Sequence, residues 1–571
     1  MPFSRLLIAN RGEIACRIIR ACRAHGLRAI AVFSDADAGA PHTRMADHAE
    51  PIGPAPARAS YLNIDAVLAA ARRSGAEAVH PGYGFLAENA DFAEAVLAAG
   101  LIWVGPPPAA MREMGDKTRA RTRMQAAGVP VVPGLQPDNG MDDAALAAAA
   151  RALGYPLLIK AAAGGGGKGM RVAAEAEGWE QALAAARREA AAAFGDDRVY
   201  VERLIARPRH VEIQVLADAH GNVVALGERE CSIQRRHQKV IEETPSPALS
   251  PALRERMSAA AVAAARAVGY VSAGTVEFIV DEAGNFHFLE MNTRLQVEHA
   301  ITESVRGIDL VGAQLAIAAG QPLTALPGLD APPSGHAIEA RLCAEDAAAG
   351  FLPATGQITA YAEPTGEGVR VDAGVEAGSV VGPFYDSLLA KVIVHAPDRA
   401  TAIARMRSAL AAYRVEGVST NLAFLADVIA HPAFAAGETR TDFISRHFPV
   451  WPLAPAPEPR NPWQATDGFR PGAGSAASRA PVAARRVVAK SGPHAHRHVD
   501  EVTAPMPGQV IEVAVAPGQT VARGAPLVVL EAMKMEHRLT AAGPATVKEV
   551  RCAKGDAVNR GQVLLILDAL A

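Results

Sequence analysis

The tightest constraint on folding is an internal repeat near the carboxyl end of the chain. Gly518-Gln-Thr-Val-Ala-Arg-Gly524 returns 37 residues later as Gly555-Asp-Ala-Val-Asn-Arg-Gly561, and Leu527 and Leu564 keep the same offset. Between these turns apolar and polar residues alternate, as in Gln509-Val-Ile-Glu-Val-Ala-Val515 and Thr546-Val-Lys-Glu-Val550, the period of short half-buried strands. One half cannot bury its own apolar face, so two must pack as a small flattened all-β sandwich. Where the halves join stands Leu530-Glu-Ala-Met-Lys-Met-Glu536, which sets Lys534 between two methionines on an exposed hairpin.

At 571 residues the chain has room for several domains. A formal net charge of −3 leaves no electrostatic footprint for nucleic acid or an anionic membrane. The five cysteines, Cys16, Cys22, Cys231, Cys343 and Cys552, form no Cys-x-x-Cys pair, so neither a zinc site nor a disulfide framework is expected and a reducing cytoplasm fits. The chain reaches Asn10-Arg-Gly-Glu13 too early for a secretory signal, and no apolar run approaches the ~18–20 residues needed to span a bilayer.

The opening residues read strand, helix, strand: Arg5 to Asn10, a helix from Arg11-Gly12 to about His25, and Arg28 to Phe33. This βαβ unit predicts a parallel sheet. It lacks a Gly-x-Gly-x-x-Gly fingerprint, so no dinucleotide site is assigned. A further strand, Ala78-Val-His80, runs into His80-Pro-Gly-Tyr-Gly-Phe85, which is either a ligand-binding turn at the carboxyl end of a strand or an ordinary tight turn.

Pro156-Leu-Leu-Ile-Lys160 reads as a buried strand leading into Ala161-Ala-Ala-Gly-Gly-Gly-Gly-Lys-Gly-Met170. Consecutive glycines let backbone N–H groups turn toward an anion and let the loop act as a lid, and Lys160 and Lys168 supply positive charge for phosphate. Alone, the loop is also compatible with a flexible connection that binds nothing. The strand Val199-Tyr-Val-Glu202 follows where an adenine contact would lie.

Glu277 and Glu290 fall in two β-like runs joined by the turn Asp281-Glu-Ala-Gly-Asn285. A hairpin brings such carboxylates together, with Asn292 pointing to the same side. That oxygen set suits a hard cation that also bridges phosphates, Mg²⁺ or Mn²⁺. Arg294 then offers a fork for a planar oxyanion, and Glu298 a base beside it. The alternative, a solvated charge run, is weakened by the absence of a helical period.

Two resemblances follow from these stretches. Glu531-Ala-Met-Lys-Met-Glu536, with Ala504-Pro-Met-Pro-Gly508 upstream, resembles the biotin carboxyl carrier domain; the lipoyl carrier shares its fold. Residues 1–450 resemble the ATP-grasp fold, specifically biotin carboxylase. The match runs in order through Ala9 to Ala15, His80 to Phe85, Gly115-Asp-Lys117, Gly164 to Met170, Arg209 to Gln214, Glu230 to Lys239, Glu290 to His299 and Glu339 to Asp346. The implied fold class is α/β and α+β, an ATP-grasp biotin carboxylase followed by a biotinyl/lipoyl-type sandwich.

By that resemblance Lys534 is the biotinylated lysine. Lys117, Lys160, Gly165, Gly166, Glu202 and His210 bind ATP, with Gln234, His237 and Lys239 nearby. Glu277, Glu290 and Asn292 hold the metal. Bicarbonate sits against Lys239, Arg294, Gln296 and the backbone of Val297, and Glu298 deprotonates it for attack on the γ-phosphate. The resulting carboxyphosphate collapses inside a closed site, and Arg341 stabilises the biotin oxygen during carboxylation.

The implied division is 1–115 (α/β), 116–330 (ATP-grasp, glycine-rich lid at about 131–205), 331–450, a linker at 451–501 and the carrier at 502–571. The linker is rich in Pro, Ala and Gly and reads as unfolded; about 50 such residues span roughly 40 Å r.m.s.. Propionyl- and methylcrotonyl-type α subunits of acyl-CoA carboxylases carry a folded docking domain there. This chain has no room for one, although Asn461-Pro-Trp-Gln-Ala-Thr-Asp-Gly-Phe-Arg470 is similar to that domain's opening segment. No second catalytic domain is visible, so a separate carboxyltransferase β subunit is implied, together with a biotin protein ligase and an oligomeric assembly. The rival readings are the two-domain subunit of a pyruvate carboxylase, a biotinylated scaffold protein with a silent carboxylase, and an ATP-grasp ligase fused to a lipoyl-type carrier.

Overall fold

The opening βαβ pattern folds as its periodicity predicts. In the computed structural model Arg5–Ile8 (β1) is the centre of a parallel sheet with Arg28–Phe33 (β2), His48–Pro51 (β3), Ala78–His80 (β4) and Ile102–Trp103 (β5), in the order β3-β2-β1-β4-β5. Alternation along β1 sends Leu6 and Ile8 into one core, with Ile14 and Ile18 of helix α1 (Gly12–Ala24), and Leu7 into another, with Ile30, Val67 and Phe92. The structure describes residues 1–135, 142–162, 170–452, 499–533 and 535–570. The glycine loop with Gly165, Gly166 and Lys168, most of the expected linker, and Lys534 lie outside the described residues. The described chain divides into two units, Met1–Pro449 and Val450–Ala571.

The His80 turn is held from within. His80 is fully buried; its Nδ1 accepts from the Gly82 N–H at 3.0 Å and its Nε2 lies 3.2 Å from Gln314 Oε1. Asn10, at the end of β1, donates to the carbonyls of Pro81 and Tyr83 at 2.7 and 2.8 Å. The two motifs that stand far apart in sequence, Asn10 to Glu13 and His80 to Phe85, are thus one substructure.

Within the same unit, Gly134–Leu135 (β6), Leu157–Ala161 (β7), Arg171–Ala173 (β8) and Val199–Arg203 (β9) form a small antiparallel sheet in the order β6-β9-β7-β8. Larger is an eight-stranded sheet of Arg209–Ala217 (β10), Val223–Arg235 (β11), Gln238–Thr244 (β12), Ser272–Val280 (β13), Phe286–Asn292 (β14), His336–Cys343 (β15), Val369–Ala373 (β16) and Leu388–Ala396 (β17). Its order is β14-β13-β10-β11-β12-β15-β17-β16, and every pair is antiparallel. Val211, Ile213, Val215, Val276 and Phe278 point to one face and pack on helix α2 (Pro251–Ala267) through Met257, Ala261 and Ala264. The residues between them, His210, Glu212, Gln214, Thr275 and Glu277, face the other way.

In the second unit the repeat folds as two four-stranded sheets. One contains Val499–Thr503, Val563–Ala569, Ala545–Val550 and Thr520–Val521; the other contains Met535–Thr540, Pro526–Ala532, Gly508–Val513 and Ala557–Val558. Each sheet takes two strands from each half, so the halves interleave instead of stacking as separate layers: neither buries its apolar residues without the other's strands. Leu527 and Leu564, the offset pair, are both fully buried. All four repeated glycines, Gly518, Gly524, Gly555 and Gly561, hold φ between +81° and +99°, a region costly for any residue with a Cβ. Ala532 and Met535 pair across antiparallel strands on either side of position 534, and Met533 holds φ at +50°.

Burial pushes the His80 imidazole down from 6.5 to about 4. Between those values the unfolded chain binds the extra proton, so the His80 contribution to stability is present above pH 6.5 and lost as pH falls toward 4. Calorimetry of the full chain is expected to show His80→Gln removing about 3 kcal/mol of that pH dependence.

Candidate active site

Of the titratable residues singled out in the sequence, His210, Lys239, Glu277, Glu290 and Arg341 meet on the polar face of the eight-stranded sheet, and Glu298 lies against it. In antiparallel pairs directly opposed residues share a face. Glu277 on β13 opposes both Glu212 on β10 and Glu290 on β14, and Thr275 opposes Asn292. The pairing with Glu290 depends on a β-bulge. Phe278 opposes Phe288, which in a regular ladder would place Leu289 against Glu277; the register shift there brings Glu290 instead. Asn292 then donates to Glu277 Oε1 at 2.8 Å.

Around this pair lie cations and amides from other strands. Lys239 on β12 reaches Glu277 Oε1 at 2.8 Å and Glu298 Oε1 at 2.7 Å, and also pairs with Glu212. His210 Nε2 is 2.8 Å from Glu277 Oε2, and Gln296 donates to Glu277 Oε1 at 3.0 Å. Arg341 on β15 binds Glu298 Oε2 at 3.0 Å and, through Nε, Glu242 Oε1 at 2.6 Å. The wholly buried Arg229 closes on Glu212 Oε1 at 2.5 Å. Lys117 reaches Glu290 Oε2 at 2.5 Å. On the small sheet Lys160 binds one oxygen of Glu202 at 2.6 Å, and Arg121, from the helix Lys117–Ala126, binds the other at 2.7 Å.

Arg294 lies within reach of the Glu298 charge but directs its hydrogen bonds elsewhere. Its guanidinium spans Glu88 Oε2 at 2.9 Å, Asn292 Oδ1 at 3.1 Å and Gln296 Oε1 at 3.2 Å, while Glu298 faces Lys239 and Arg341. Gln234 opposes Lys239 in the β11–β12 ladder. Arg236 and His237, in the turn between those strands, hold φ at +49° and +67°, strain that clusters at functional sites. The carbonyl of Val297 accepts from Lys391 on β17 at 2.6 Å.

The electrostatics separate two buried carboxyls. Burial raises the proton affinity of Glu298, but Lys239, Arg341 and Arg229 outweigh it and hold the group well below the usual carboxylate range. Glu242 shares only Arg341, and burial with the neighbouring Glu298 charge pushes it up to about 7. Glu277 is likewise held low by Lys239 and His210 against its burial. Glu277, Glu290 and Asn292 offer oxygen donors from adjacent strands, a fit for a hard divalent cation; donor atoms of His210, Glu212 and Glu277 also lie within 4.8 Å of one another. Glu212, Arg229, Glu242 and Lys391 are site residues that sequence reading missed. Glu212 had a signal, since it stands two residues from His210 on a strand.

A carboxylate-rich antiparallel sheet, a separate small sheet bearing Lys160 and Glu202, and an amino-terminal parallel sheet define an ATP-grasp ligase. Four family models match in order: "Biotin carboxylase, N-terminal domain" over residues 2–111, "Carbamoyl-phosphate synthase L chain, ATP binding domain" over 116–326, "Biotin carboxylase C-terminal domain" over 339–446, and "Biotin-requiring enzyme" over 500–567. The propionyl-CoA carboxylase alpha chain of Ruegeria pomeroyi is 51% identical over 78% of this chain and 68% of its own length. The biotin-dependent acyl-coenzyme A carboxylase alpha3 subunit of Mycobacterium leprae is 46% identical over 94% of this chain and 93% of its own. Among solved structures, the biotin carboxylase domain of Hydrogenobacter thermophilus 2-oxoglutarate carboxylase, in complex with MgADP and bicarbonate, is 44% identical with a TM-score of 0.74, covering 78% of this chain and 98% of that one. The chain belongs to the family of biotin-dependent acyl-CoA carboxylase α subunits, with a biotin carboxylase followed by a biotin/lipoyl domain. Among the described residues no helix is long and apolar enough to cross a membrane.

Lys239→Met would leave Glu212, Glu277 and Glu298 without their shared ammonium. The expected loss is about 3–5 kcal/mol of stability, read as a lower midpoint of thermal or denaturant unfolding of the full chain.

Proposed function

We propose that residues 1–115, 116–330 (lid at about 131–205) and 331–450 use ATP and bicarbonate to carboxylate biotin attached to Lys534 of a carrier at 502–571. The linker at 451–501 tethers the two, and a separate carboxyltransferase subunit passes the carboxyl group to an acyl-CoA. The observation that carries this reading is the buried Glu298 carboxylate held between Lys239 and Arg341, beside the Glu277–Glu290 pair.

A base must gain proton affinity at the moment of reaction, and Glu298 at rest has little. Bicarbonate entering this site takes Lys239 and Arg341 as its own partners, with Arg294, Gln296 and the Val297 backbone on its other side. Glu298 then loses the cations that hold it ionised and takes the bicarbonate hydroxyl proton on a freed Oε. The deprotonated anion attacks the γ-phosphate of ATP bound by Lys117, Lys160, Gly165, Gly166, Glu202 and His210, with Gln234 and His237 alongside; the bond to ADP breaks, and the carboxyphosphate formed splits into CO₂ and phosphate. Glu277, Glu290 and Asn292 would hold Mg²⁺ or Mn²⁺, which would neutralise charge at the phosphates. Biotin would supply the ureido nitrogen that takes up the CO₂, its N–H proton passing to the released phosphate, and Arg341 would stabilise the charge that develops on the biotin oxygen. Bicarbonate and MgADP in the Hydrogenobacter domain support this assignment, as do the acyl-CoA names of the relatives for the acceptor. We place the chain in the cytoplasm, in an oligomer, modified by a biotin protein ligase.

Bicarbonate-dependent ATP cleavage tests the carboxylase; its absence from the wild-type chain would sink the reading. Glu298→Gln and Arg341→Ala are each expected to lower biotin carboxylation by about 10²–10³, and unchanged rates with both would overturn the site assignment. Mass spectrometry after streptavidin capture from the native host is expected to find biotin on Lys534 and none in Lys534→Arg. Assay of the captured complex with acyl-CoAs and with pyruvate separates the acceptor from its rival.

A further inference from the structure

Lys391 has the surroundings of a structural ion pair but not its geometry. It is wholly buried, in the middle of β17, opposed by Arg341 on β15 and Asp372 on β16, so the three side chains share the polar face. A buried ammonium among carboxylates ordinarily closes to about 2.7–2.9 Å on one of them. Here Glu13 Oε1 stays at 3.5 Å and Asp372 Oδ2 at 3.8 Å, while the ammonium comes to 2.6 Å from the carbonyl of Val297. Neither carboxylate oxygen of Glu13 has a hydrogen-bond partner. The start of α1 lies close against the backbone of Gly374, where a Cβ would meet the Glu13 nitrogen at 2.4 Å.

The Val297 carbonyl belongs to the peptide that carries the Glu298 N–H. Fixing its direction fixes the plane from which Glu298 departs, immediately before helix α3 (His299–Arg306) begins. Burial works against the Lys391 charge, and Asp372, itself held well below the usual carboxylate range, is the firm counter-charge that keeps the group an ammonium; burial pushes Glu13 up to about 7 and Glu339 well above its usual range, so they contribute less. The carboxylates therefore act as distant counter-charges and the carbonyl takes the directed bond.

We infer that Lys391 is a positioning residue for bicarbonate, which holds the Val297 peptide so that Glu298 and the Val297 backbone meet the anion in the right orientation. Asp372, with a lesser part from Glu13, serves to keep that ammonium charged and in place. The inference rests on the biotin carboxylase reading given above and extends it to a residue that touches neither substrate nor biotin.

The test is steady-state ATP cleavage by the full chain with bicarbonate varied. Lys391→Met is expected to raise KM for bicarbonate about tenfold or more while KM for ATP stays within about twofold, with Lys391→Arg falling between Met and wild type. A purely structural lysine would lower kcat with the folded fraction and leave the bicarbonate KM unmoved, and that result overturns the inference. If Lys391→Met does not fold, Lys391→Arg decides: its displaced donors are expected to raise bicarbonate KM about threefold, and an unchanged KM is again fatal. A wild-type chain without bicarbonate-dependent cleavage fails earlier, taking the proposed function and this inference down together.

Discussion

The face of the eight-stranded sheet opposite α2 carries more buried charge than an apolar interior tolerates, and the rest of the first unit is arranged to neutralise it. A single unpaired ion in such a place costs several kcal/mol. Glu212, Glu277, Glu298, Glu242 and Glu290 are answered by Arg229, Lys239, His210, Arg341 and Lys117. At the centre the pairing is shared: Lys239 serves three carboxylates and Arg341 two, while Glu212, Glu277 and Glu298 each meet two of the cations. A network shared in this way is stable at rest and divisible when an anion arrives, because an arriving oxyanion takes over contacts that already exist.

Register matters as much as charge. The bulge at Leu289 puts Glu290, and not a leucine, against Glu277, and without it one of these two carboxylates would turn to the apolar face. In the carrier unit the same kind of local detail is carried by the four glycines at positive φ. Both are single-residue devices that decide which side chains face which surface.

The sequence was most informative where periodicity is local. The βαβ opening, the strand Arg28–Phe33 and the strand Ala78–His80 follow from alternation within a few residues, and the hairpin between Glu277 and Glu290 follows from its turn. Site residues were legible where they stand close in sequence or inside a dense motif, as Asn292, Arg294, Gln296 and Glu298 do. What stayed hidden depends on distant pairing. Nothing near Lys391 announces Val297, which lies 94 residues away, and nothing near Glu242 announces Arg341. The bulge, by contrast, left a trace: Phe286-His-Phe alternates, two apolar residues then stand together at Phe288-Leu289, and Glu-Met-Asn292 resumes in the opposite phase. The interleaving of the carrier's halves is hidden for the opposite reason: two nearly identical halves fit either a stacked or an exchanged pairing, and periodicity does not choose between them.

The non-local character of the charge pairing bears on biosynthesis. Glu13 is among the first residues made, and Glu212, Glu242 and Glu298 precede Arg341 and Lys391 in the chain. Until the segment with those two cations has left the ribosome, Glu13 lacks its counter-charge and Glu298 has only the cations of β11 and β12. The earlier strands can pair their backbones, but their polar face has no reason to dehydrate. The strands β15 and β17 therefore do more than complete a ladder: with their two cations the polar face can dehydrate, so closure of the catalytic centre waits on the last part of the sheet to be made.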